Sequence, residues 1–211
     1  LKLFKFRSNS IVWEIIQAAG WPIWPLIITS IVGFAIVIER AWSLRESFII
    51  PRALIDDVHK MIGKGSIKKD EIQLLQRHSM LGEIYATVLK NQGKSSDEVK
   101  SAVEQTGESV SYRLEKYLGV LGTISTVAPL LGLFGTIIGM VELFSSFTSS
   151  GHDVAVFARG ISIALYNTAG GIVVAVPAMI AYRFFRSKVD HFINEMEVHA
   201  LDLIETLQGN S

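Results

Sequence analysis

Residues 118–147 read LGVLGTISTVAPLLGLFGTIIGMVELFSSF, and no charge falls between Lys116 and Glu142. An α-helix needs roughly 20 residues to cross the hydrocarbon of a bilayer, so this uncharged run is long enough to span it. It is not plain apolar filler. Ser125, Pro129, Gly132, Thr136 and Gly139 follow one another at steps of four and three, which puts them on one helical face. A face of small and hydroxylated residues lets two backbones approach closely and keeps polar groups away from lipid. The stretch therefore predicts a span that packs against partners and can line a polar path.

Two further blocks extend this pattern. Residues 160–182 are uncharged between Arg159 and Arg183, and Ala164, Thr168, Gly171, Ala175 and Ala178 again share a face. Residues 15–38 form the third uncharged block, with Gly20, Pro22 and Pro25 delaying a straight helix to about Trp21. Trp21 and Trp24 mark one end of that span and Trp42 the other, as an aromatic belt does. The fold class expected is an all-α integral membrane protein with three transmembrane helices. Composition narrows the function: 20 basic against 20 acidic residues leave no basic excess for nucleic acid, and the lack of cysteine excludes disulfides, thiolate metal sites and cysteine nucleophiles.

The region between the first two spans reads as a helical insert. Pro51 opens a helix with Leu54, Val58 and Met61/Ile62 on its apolar face, stopped by Gly63 and Gly65. A second helix is expected from about Asp70 to Asn91, with Ile72, Leu75, Met80/Leu81, Ile84 and Val88 inward. Ser95 followed by Glu98 is a capping-box pattern. No proline or glycine pair interrupts the helical pattern after it, which predicts one helix from Ser96 through the second span, roughly 75 Å long. The chain then divides into an N-terminal interfacial segment (1–20), a first span (21–42), the insert (43–95), a long helix with the second span (96–147), a short polar turn (148–156) and a second long helix with the third span (157–208). The first segment mixes Lys2, Lys5 and Arg7 with Leu3, Phe4 and Phe6, which suits a membrane interface, the alternative being a disordered tail followed by an early start of the first span. It has no short apolar run with a small-residue cleavage site, so a cleavable signal peptide is not expected. Beyond the third span, Val189, Phe192/Ile193, Met196, Ala200, Leu203 and Leu207 form a stripe that can pack on Val99, Val103, Val110 and Leu114.

Orientation follows from lysine and arginine. Thirteen lie between Arg40 and Lys116 and three follow from Arg183, against three at the N-terminus and Arg159 alone in the turn. Insert and C-terminus are therefore expected in the cytoplasm, N-terminus and turn outside.

Few residues can carry chemistry. Thr136 and Thr168 sit near mid-span, where a hydroxyl can hold or pass a proton, or else hydrogen-bond within and between helices. Asn167 must be satisfied inside the bundle. Pro129 and Pro177 remove backbone hydrogen bonds within spans, freeing carbonyls for partners, water or a kink. Glu142 is the carboxylate nearest a membrane interior, either titratable there or paired locally, for instance with Arg159. His191, Glu195 and His199 share a helix face but lack a further element to complete a metal site. No nucleotide-binding glycine loop, nucleophile elbow or pair of catalytic acids is present, and no cofactor beyond the proton itself is expected.

The runs APLLGLFGTIIGM (Ala128–Met140) and GISIALYNTAGGIVVAVPAMIAY (Gly160–Tyr182) resemble the two core helices of the MotA/TolQ/ExbB proton-channel family. The order of one span, a large insert and two long helices joined by a tight turn also matches, most like the ExbB branch, with TolQ next; MotA-type chains have an additional span. The resemblance implies a homopentameric bundle in the bacterial inner membrane around an ExbD-like single-span partner, a dimer in the pore. Proton flow would then drive a TonB-like energy transducer. It implies that Thr136 and Thr168 are the pore threonines of the second and third spans. From the residues themselves, Ser125 and Asn167 are expected to line the same path, and Gly132, Gly139 and Gly171 to serve packing. One position departs. Where the family often has Ala-Glu-Ala-Leu, this chain has Ser162-Ile163-Ala164-Leu165, so a mechanism needing that glutamate is not open to it. A TolQ-like role in the cell envelope and a non-conducting scaffold are the alternatives.

Overall fold

The computed structural model describes residues 13–63, 68–145 and 154–209. Residues 1–12, including the basic positions of the N-terminal segment, and most of the polar turn lie outside the described residues, as does Gly65. All described regular structure is helical: α1 (13–19), α2 (Ile23–Ser43), α3 (Glu46–Ile49), α4 (Arg52–Gly63), α5 (Lys69–His78), α6 (Met80–Lys90), α7 (Ser96–Glu115), α8 (Leu118–Ser145) and α9 (Val154–Gly209). Three of them, α2, α8 and α9, are long and apolar enough to cross a membrane. The chain is a multi-pass membrane protein.

The contacts divide the chain into two units. The first takes residues 1–38 and 119–182, and its packing sets small residues among aliphatic ones. Ala19, Ile23, Leu26, Ala128 and Ala175 form a buried cluster, covered by Ile16, Ile27, Leu131 and Val174. Other large apolar side chains point outward: Phe34, Leu130, Val141, Leu165 and Val173 are all more than 60% exposed. Such an inside-out arrangement is costly in water and natural in lipid, where a leucine gains nothing by leaving the solvent. Gly20, at φ +71°, makes the turn between α1 and α2. Proline sits inside both α8 (Pro129) and α9 (Pro177) without ending either helix.

The second unit takes residues 39–118 and 183–211 and is built as a water-soluble domain is. Its core is large and aliphatic: Leu44, Ile49, Val58, Leu81, Ile84, Val88, Val110 and Leu114, joined by Phe185, Val189, Phe192, Met196, Ala200 and Leu203 of α9. The α9 positions recur at steps of four and three, as the sequence pattern requires. Glu115 pairs with Arg186 at 3.0 Å. The capping box at the start of α7 is present: Ser95 Oγ accepts from the Glu98 N–H while the Glu98 carboxylate accepts from the Ser95 N–H. The Ser95 hydroxyl also donates to the Glu98 carboxylate at 2.9 Å, and this bond, helped by the one from the Ser95 N–H, holds the Glu98 carboxyl below the usual carboxylate range.

Two expected continuous helices are broken. The helix anticipated from Asp70 to Asn91 stops at His78, because Ser79 turns extended (φ −160°, ψ 171°) and its Oγ caps α6 by accepting from the Gly82 N–H at 3.0 Å. Gly82 is required there, since a Cβ would strike the Leu75 carbonyl. The helix anticipated through Ser96 to the second span stops at Glu115. Lys116 has ψ 134° and Tyr117 has φ +65°, the only positive φ among described non-glycine residues. The single helix expected for the third span and the C-terminal stripe does run unbroken, as α9.

Candidate functional site

The site is the seam between α8 and α9 in the first unit. The two helices touch backbone to backbone at two places. A Cβ on Gly132 would lie 2.8 Å from the Asn167 carbonyl oxygen and 3.2 Å from Gly171 Cα, and a Cβ on Gly171 would lie 2.8 Å from the Ala128 carbonyl oxygen. At the second contact, a Cβ on Gly139 would come within 2.6 Å of the Gly160 carbonyl oxygen. No side chain larger than hydrogen fits at either point. Gly132, Gly139 and Gly171 stand out in the sequence pattern; Gly135 and Gly160 serve the same seam and are signalled only by being glycine within a span.

Between these contacts the seam carries its hydroxyls. Thr136 Oγ1 and Thr168 Oγ1 lie 2.5 Å apart. Thr168 also donates to the Ala164 carbonyl at 3.1 Å, whereas the carbonyls in reach of Thr136, Gly132 and Ala164, are both at 3.4 Å. Each hydroxyl has one proton to give. The shortest consistent order is Thr136 donating to Thr168 and Thr168 donating to Ala164, which leaves lone pairs on both oxygens for a further donor. Thr168 is exposed and Thr136 half-buried, so the pair opens at the edge of the seam.

The other sequence candidates are not gathered there. Ser125 is buried and donates to the Gly122 carbonyl of its own helix at 2.7 Å. Pro129 and Pro177 are exposed. Asn167 is fully buried: Nδ2 donates to the Ala19 carbonyl at 2.7 Å and to the Ile163 carbonyl at 2.8 Å, while Oδ1 has no hydrogen-bond partner among the described residues. Its carboxamide lies where a Gly135 Cβ would stand, so the bare glycine makes room for it. Ile163 is buried, and its side chain lies 3.6 Å from where a Gly20 Cβ would be. Glu142 pairs with Arg159 at 3.1 Å. His191 and Glu195 approach to 3.5 Å on an exposed face, and no group of three or more histidine, aspartate or glutamate side chains that could hold a metal occurs among the described residues.

One residue that pattern reading passes over is Arg40. It looks like a charge ending the first span, yet it is 3% exposed and donates to the Leu114 carbonyl at 3.1 Å. A buried guanidinium is worth seeking wherever a span ends in adjacent acid and base, here Glu39-Arg40.

Fold and site together define a class: a polytopic helical membrane protein in which two glycine-sutured spans share a hydroxyl pair. The chain belongs to the MotA/TolQ/ExbB proton channel family, which matches residues 75–198, more than half of its length. That is a family of channels, not of enzymes. The chain is similar to the ExbB-like 3 protein of Synechocystis sp., 33% identical over 179 residues, covering 81% of this chain and 83% of that one. It is 29% identical to the ExbB-like 1 protein of the same organism over 198 residues, or 90% and 78% of the two chains. An ExbB homolog of Methanothermobacter thermautotrophicus is 29% identical over 194 residues, 92% of this chain and 66% of the relative.

Proposed function

We propose that the chain is the pore-forming subunit of a proton-driven membrane motor, with Thr136 and Thr168 on the proton path. The observation that carries this reading is the 2.5 Å hydroxyl pair at the accessible edge of an otherwise glycine-closed seam. Two hydroxyls that would otherwise face lipid need a polar neighbour, and in a ring of copies that edge can face a shared axis. Five copies form the ring, around an ExbD-like single-span partner, a dimer, that supplies the titrating acid. The work is delivered to a TonB-like transducer, in keeping with relatives described as biopolymer transport proteins. The bias of lysine and arginine supports a cytoplasmic insert and C-terminus, with the N-terminus in the periplasm of a bacterial inner membrane. Ser125 and Asn167, although bonded within the chain, lie on the two helices that flank the path. Glu142, paired with Arg159, lies near the end of α8, away from the threonine pair.

A scaffold without ion flow is the second reading. It is favoured by Ile163, which stands where the family often has an acid and is spent on packing against Gly20. Proton uptake by liposomes containing the chain and its single-span partner separates the two. The motor reading expects partner-dependent uptake that falls at least tenfold in Thr136→Ala/Thr168→Ala while the complex keeps its mass. A scaffold shows no uptake in either form, and unchanged uptake in the double variant removes the threonines from the path.

A further inference from the structure

We propose that the junction between α7 and α8 is a two-state joint, and that Arg40 is the latch holding it in the broken state. The sequence around the junction, from Tyr112 to Leu121, has no proline and a single glycine, Gly119, so helix continuation is open to it. The structure instead turns at Lys116 and Tyr117. Lys116 at φ −48°, ψ 134° and the φ of +65° at Tyr117 lie near the corresponding dihedrals of a type II turn, whose second central position favours glycine. A tyrosine there costs on the order of tenfold in the local equilibrium relative to glycine. Something outside the turn must hold it.

Arg40 is placed to do so. If the helix ran on, the Leu114 carbonyl would accept from the Leu118 N–H. In the broken state that carbonyl is one of the last four of α7 and would be orphaned. Arg40 Nη1 takes it at 3.1 Å. The rest of the guanidinium is engaged by the Glu39 carboxylate, at 2.5 Å from Nε and 2.7 Å from Nη2. Its charge also lies 5.5 Å from the centre of the Tyr117 ring, which Lys116 approaches to 4.8 Å. The arginine thus substitutes for the hydrogen bond that continuation would make and steadies the residue that continuation would release. All of these groups belong to the second unit. Releasing Arg40 from Leu114 favours one unbroken helix from α7 into α8. The joint is independent of proton conduction and stands or falls without it.

Hydrogen exchange of the full chain in lipid nanodiscs reads the joint at the amides of Tyr117, Leu118, Gly119 and Val120, which gain helical partners only if the helix runs on. In the native chain these four exchange at least tenfold faster than the interiors of α7 and α8. Arg40→Gln slows them at least tenfold, and so does Tyr117→Val, which keeps the latch but cannot hold a left-handed φ. Tyr117→Gly leaves them fast, and adding it to Arg40→Gln restores fast exchange. Protection in the native chain equal to that of the helix interiors overturns the proposal. So does exchange that neither Arg40→Gln nor Tyr117→Val slows.

Discussion

A single helix, α9, is packed by two different rules. In the first unit its buried positions are Gly160, Ile163, Ala164, Asn167, Gly171, Ala175 and Ala178, most of them glycine or alanine; in the second they are Phe185, Val189, Phe192, Met196, Ala200, Leu203 and Ile204, all large but Ala200. The periodicity does not change at Arg183, but the size of the side chains does. Lipid gives no reward for burying a leucine, so the membrane part is held by close backbone approach and pays for it in glycine. Water rewards large apolar burial at about 25 cal/mol per Å², so the soluble part uses phenylalanine and leucine. The change of solvent is written in the change of residue volume.

That contrast can be broken by exchanging the rules. Gly139→Leu forces a side chain into the space held by the Gly160 carbonyl, and is expected to abolish the folded, monodisperse species on size exclusion in detergent; survival with native melting would refute the backbone suture. Phe192→Ala opens the aliphatic core and should cost about 3 kcal/mol in denaturant unfolding. Asn167→Ala removes two buried donations, to Ala19 and Ile163, and should cost about 1–2 kcal/mol, read as loosened protection of residues 13–19. Val173→Ala, on the exposed face of the same helix, should change detergent stability by less than about 0.5 kcal/mol. A smaller effect sharpens the soluble side. The Glu98 carboxyl is depressed in the folded chain by its bonds to Ser95, so its contribution is present above the ordinary carboxylate range and is lost as pH falls through the folded value. Exchange at the first turn of α7 should rise on acidification, and Glu98→Gln should remove that dependence.

How much of this was readable beforehand depends on whether the cause was local. The three spans were legible because a charge gap is a local fact, and the seam was legible because small residues at steps of four and three can mean little else within a span. The Ser95–Glu98 cap was legible for the same reason. The break at Ser79 was only half written: a serine can cap, but it is equally at home inside a pattern that reads as helix on both sides. The break at Tyr117 was not written at all, since nothing about tyrosine announces a left-handed φ and the arginine beside it lies 77 positions away in sequence. Asn167 was singled out as a polar group needing a partner, but a window of one helix cannot tell that the partner is the end of α1. The Thr136–Thr168 pair was suggested residue by residue; that the two hydroxyls would meet is a property of the crossing and not of either helix.

The proposed motor requires the hydroxyl edge of the seam to meet a watery path and not lipid. The chain has no cysteine, so a thiol introduced at Thr168 is the sole one present. Reaction of Thr168→Cys with a charged, membrane-impermeant thiol reagent in proteoliposomes tests the claim most directly, with Val173→Cys on the lipid-facing side for comparison. Thr168→Cys is expected to be labelled at least tenfold faster than Val173→Cys. Equal, slow labelling at both positions would contradict it.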